Sequence, residues 1–116
     1  MKALSLMLLM LTVPSVSTAA VETWTNVALV DTQCAPKVKD DPDSHTAKCA
    51  LQCATHGFGV ITHDGSFFLL DEAGNRKAIA ALKATQKVDH LRATVTGEHL
   101  RDSIKVVSLS LEEPTR

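Results

Sequence analysis

The chain has 116 residues with 12 Lys and Arg against 13 Asp and Glu, a formal charge of −1, three cysteines and an aromatic content of 3%. No segment gathers Lys and Arg into a block, so the basic footprint of a nucleic-acid or anionic-membrane partner is missing and neither partner is expected. The length supports one small hydrophobic core and no more.

Residues 1–19 read as a cleavable export signal. Lys2 supplies the positive start, residues 4–13 the apolar stretch, and Ser17, Thr18 and Ala19 the small-residue cleavage site. The apolar stretch is too short to span a bilayer, and no cysteine follows the cleavage site to carry a lipid anchor. The reading is therefore a periplasmic or secreted protein with a single domain over residues 20–116.

Residues 24–31 form an expected first strand, apolar on both sides near Val27 to Val30. Residues 32–44 hold Cys34, two prolines and five charges, which suit an exposed loop. Residues 45–57 are expected to be a helix, started by Ser44 and closed by Gly57. At about 100° per residue, His45, Cys49, Cys53 and His56 share an arc of roughly 80°, leaving Ala47, Ala50, Leu51 and Ala54 to pack.

A second strand over residues 58–63 and a third over 66–71 flank Asp64-Gly65, read as a two-residue hairpin turn. Residues 72–75 read as a polar turn and residues 76–87 as a second helix with Ala78, Ile79 and Leu82 inward. Residues 90–96 alternate as a fourth strand, with residues 97–102 as the turn to a fifth over residues 103–111. In the fifth strand Ile104 and Val106 share one phase while Val107, Leu109 and Leu111 share the other, which predicts a bulge or bend. Residues 112–116 are expected to fray.

Five strands, with a helix between the third and fourth, fit a mainly β fold with two helices: an OB-like Greek-key barrel carrying the Cys/His helix as an insertion after strand one. The pattern resembles small exported bacterial OB-like proteins of a family without assigned function. The residues that carry the resemblance are Val30-Asp31 followed by Cys34, residues 48–53 with Cys49 and Cys53, His63-Asp64-Gly65, Val95-Thr96-Gly97 and Ile104-Lys105-Val106. That resemblance implies a fold and a location, and no mechanism.

Three thiols in an exported chain imply one disulfide with a thiol left over, a metal site, or an intermolecular bridge. Cys49 and Cys53, with a third donor from Cys34, His45 or His56, can ligate a soft ion, copper(I) first and zinc(II) next. On one continuous helix His45 and Cys53 are about 12 Å apart along the axis, too far to share an ion directly. Alternatively Cys34 is bridged to Cys49 or Cys53 by a disulfide, because Cys49 and Cys53 on one helix stand too far apart to bridge each other.

A binding module for a protein or glycan partner is the other class of function. It would use Phe67 or Phe68, which point to opposite sides of the third strand. Catalysis would rest on a Cys53–His56 pair, but the chain has no C-x-x-C motif, no evident orienting carboxylate and no phosphate loop, so a non-enzymatic accessory protein is expected.

Overall fold

The computed structural model describes residues 9–13 and 20–113. Most of the expected signal segment, and residues 114–116 of the expected frayed end, lie outside the described residues. Five strands make a closed barrel: β1 (Val21–Asp31), β2 (Phe58–Ile61), β3 (Phe67–Leu70), β4 (Arg92–His99) and β5 (Ser103–Leu111). Around the barrel the order is β1-β2-β3-β5-β4, with β4 returning to β1, and every pairing is antiparallel except β3 with β5. This is the OB-like plan expected from the order of elements.

Alternation along the strands builds the interior. Val27 and Leu29 of β1, Phe58 and Val60 of β2, Ala93 and Val95 of β4, and Ile104 and Val106 of β5 meet in one core. Full burial of each large apolar side chain contributes roughly 1.5–3 kcal/mol. The other phase of β1 is also buried, because Ala28 and Val30 pack with Ile61 beneath Ala35 and Val38.

Among the described residues there are three α-helices, not two. A four-residue helix α1 (Ala35–Val38), with proline in its first turn, lies in the segment expected to be loop. It forms because Ala35 and Val38 cover the outward apolar phase of β1, burial that composition alone does not announce. The expected helix over residues 45–57 is broken into α2 (Ala47–Gln52) and a 3₁₀ turn over Ala54–His56. Its cap is Thr46, whose hydroxyl accepts the Cys49 N–H at 3.1 Å, so Ser44 and His45 stand before the helix.

Helix α3 (Glu72–Ala84) begins four residues earlier than expected. Asp71 caps it by accepting the Gly74 N–H at 2.9 Å, and the Asn75 side chain accepts the Phe58 N–H at 2.9 Å. Residues 72–75, read as a turn, are thus the first helical turn, and Asp71, read as the end of the third strand, is its cap. The β2–β3 connection is a three-residue loop rather than a two-residue turn: Thr62 N–H meets the Ser66 carbonyl at 2.9 Å, and Gly65 takes φ +83°.

β4 runs to His99, three residues past its expected end, and skips Val107 of β5. The phase switch in β5 is therefore a bulge, as expected. Glu112 is tied back rather than frayed, its N–H donating to the Arg92 carbonyl at 2.8 Å and its carbonyl accepting from Lys87 Nζ at 3.0 Å.

The two ends of the barrel differ. The segments carrying α1, α2 and α3 all connect strands at one end, and Ala50, Ala78 and Leu82 from α2 and α3 join the core there. At the other end the β2–β3 and β4–β5 connections and the start of β1 come together with no helix among the described residues.

Candidate functional site

Asp31 is the last residue of β1 and continues the inward phase of Val27 and Leu29. Its side chain is fully buried at the helix-bearing end. One carboxylate oxygen accepts the Cys34 N–H at 3.0 Å, which turns the chain sharply out of β1 and sets Cys34 at the start of α1. The other oxygen lies 2.7 Å from His45 Nε2, and His45 is 5% exposed. That close approach lacks the alignment of a hydrogen bond, and neither atom has another hydrogen-bond partner among the described residues. One oxygen of Asp31 and one ring nitrogen of His45 are left facing each other at 2.7 Å without the aligned hydrogen bonds that usually offset burial.

Cys53 completes the cluster. It is the C-cap of α2, where the backbone leaves helical geometry before the 3₁₀ turn. One donor atom from each of Asp31, Cys34 and Cys53 lies within 4.8 Å of the other two. No disulfide joins any two of the three cysteines in this structure. The Cys34 thiol is pushed above its ordinary range, first by burial, then by the Asp31 carboxylate and the nearby Cys53.

The residues singled out from sequence divide. Cys34 and Cys53 converge; His45 joins them through Asp31, from an extended backbone just ahead of α2. Starting the helix at Ala47 removes the helical-rise argument that separated His45 from Cys53. Cys49 is exposed on α2, and His56 is exposed in the 3₁₀ turn, where its carbonyl, not its ring, is engaged by the Thr32 hydroxyl at 2.7 Å. Asp31 was absent from the sequence-derived set. Its signal was an acidic residue in the inward phase of a buried strand, a position that demands a partner.

Phe67 and Phe68 part as their adjacency requires. The Phe67 ring lies over Gly59 on the outer face, leaving no room for a Cβ there. It borders a groove of about 510 Å³ between α1 and the β2–β3 hairpin, with Thr32, Pro36, Lys39 and Ile61. Phe68 packs against the core from the open end of the barrel.

A bidentate ion pair holds the cysteine-bearing segment in place. Arg92 donates from Nε and Nη2 to the Asp43 carboxylate at 2.8 and 3.0 Å. Hydrogen bonding from Arg92 holds the Asp43 carboxyl below its usual range.

No protein-family model, curated protein or solved structure matches this chain.

Proposed function

We propose that the chain is an exported, non-enzymatic protein that binds one soft or borderline metal ion through Cys34, Cys53 and Asp31, with His45 beside them. The observation that carries this is the convergence of two thiols on a fully buried carboxylate whose neighbouring imidazole nitrogen has no hydrogen bond. A mixed sulfur and oxygen donor set, with imidazole at hand, favours zinc(II) over the copper(I) that thiolates alone would select. Metal binding converts the raised Cys34 thiol to a thiolate, so a proton is released and affinity rises with pH. Export rests on the reading of residues 1–19, and the resemblance to exported OB-like proteins of unassigned function agrees with it.

The test is metal competition against a chromophoric chelator. One zinc ion per chain is expected, with Cys34→Ser, Cys53→Ser and Asp31→Asn each weakening binding at least tenfold and Cys49→Ser leaving it nearly unchanged. Binding that depends on Cys49 as strongly as on Cys53, or no binding at all, would refute the site.

The proximity of Cys34 and Cys53 also supports a second reading, a disulfide-tied module in which this bridge fastens α1 to α2 and Cys49 remains free. Thiol counting on protein purified without reductant separates the two: one reactive thiol and no metal favours the bridge, three thiols with one ion favours the site.

A further inference from the structure

The helix-free end of the barrel forms a mouth of about 410 Å³ lined by Glu22, Trp24, Thr62, His63, Asp64, Phe68 and His99. Its position follows from topology, since Glu22 and Trp24 open β1, Phe68 opens β3, His99 closes β4, and Thr62, His63 and Asp64 belong to the β2–β3 connection.

Its floor is apolar, because Trp24 and Phe68 pack on the barrel core. His99 stands edge-on to both, with ring centroids 5.9 Å from Trp24 and 4.6 Å from Phe68. Its rim is acidic. Glu22 is exposed two residues before Trp24 on the same face of β1. Asp64 is fixed in place by the Thr62 hydroxyl and by the Ser66 N–H at 3.1 Å, and these donors hold its carboxyl below the usual range. Among the described residues no Lys or Arg lines the mouth; Arg101 lies two residues beyond His99 and outside the lining.

We infer that this mouth binds a small organic cation, an alkylammonium compound whose charge is met by Glu22 and Asp64 and whose carbon body rests against Trp24, Phe68 and His99. Aromatic rings and carboxylates together attract an ammonium group, the rings through their quadrupole and the carboxylates through charge, while a neutral ligand gains nothing from the acids. Barrel mouths are a recurrent place for such sites, since strands end there without covering the interior. The site is separate from the cysteine cluster, which lies at the opposite end.

Trp24 is the one tryptophan of the chain and sits in the mouth, so its emission reports on occupancy directly. The folded protein is titrated with choline and with putrescine, and with 1,4-butanediol and glucose as neutral controls. A saturable change in Trp24 emission is expected with one or both amines and none with the controls. Glu22→Gln and Asp64→Asn, which keep side-chain size, should each weaken the response roughly 3- to 10-fold, and Cys34→Ser should leave it unchanged. Added salt should weaken binding as well. An equal or stronger response to butanediol or glucose would overturn the inference. So would full amine binding by both acid-to-amide variants, or no change in emission together with no shift of the His99 ring protons by nuclear magnetic resonance.

Discussion

A carboxylate with no exposed surface needs its charge compensated, and Asp31 receives one backbone N–H from Cys34 and one close imidazole. The same carboxylate disfavours a thiolate beside it, so Cys34 keeps its proton longer when folded than when unfolded. The native state therefore binds the proton more tightly, and this contribution to the stability of the metal-free protein is present at lower pH. It is lost as pH rises from the ordinary thiol value of about 9.0 through the raised native value. Asp31→Asn retains an oxygen for the Cys34 N–H and removes the charge. Its Cys34 should titrate closer to the ordinary range, seen as an earlier rise of thiolate absorbance at 240 nm with pH. An unchanged titration would show that burial and the neighbouring Cys53, not the Asp31 charge, set the thiol.

At the scale of elements, α2 is too short to be stable by propensity and depends on its cap and its packed face. Thr46 supplies the cap, Ala50 the buried contact, and the Ala47 N–H is taken by the Val88 carbonyl at 2.9 Å. Because Cys53 is the C-cap of this helix and His45 immediately precedes Thr46, the helix ends position two members of the cluster. Thr46→Ala should cost about 1 kcal/mol in thermal or urea unfolding. It should also weaken zinc several-fold in the chelator assay, although Thr46 is not itself a ligand. Loss of stability with unchanged zinc affinity would separate the cap from the site. The Arg92–Asp43 pair acts alongside, tying the segment two residues before His45 to β4.

For the whole molecule, the weakest seam is the parallel pairing of β3 with β5, which joins only Leu69 with Ser103 and Leu70 with Ile104. Helix α3 reinforces it, packing chiefly on β5, while Asp71 accepts the Val106 N–H at 3.2 Å as well as capping the helix. Gly74 permits this approach, since a Cβ there would stand 2.5 Å from Val106 Cγ2 and 2.9 Å from Leu70 Cβ. In an exposed helix Gly→Ala would gain about 1 kcal/mol. At Gly74 the overpacking opposes that gain, and its cost of about 1–3 kcal/mol sets the sign, so Gly74→Ala should lower the urea midpoint. A raised midpoint would show that the seam yields without strain.

The order of strands, the closed barrel, the inward residues and the bulge in β5 were legible in the chain because alternation, turn residues and helical periodicity are local properties of sequence. Phase alone foretold that Phe67 and Phe68 would part. The helix boundaries were less legible: residues 72–75, read as a turn, became the first turn of α3, and Asp71, read as the end of a strand, became its cap, because Asp71 and Asn75 found partners in β5 and β2. The membership of the candidate site was decided by tertiary structure. Helical spacing grouped Cys49 and His56 with Cys53, but a helix that starts at Ala47 and ends at Gln52 leaves Cys49 exposed and turns the chain before His56. Asp31 and Cys34 reach Cys53 because the pairing of β1 with β2, Asp31 opposite Phe58, returns the chain to the end of β1 some twenty residues later, and proximity of that kind has no period in sequence.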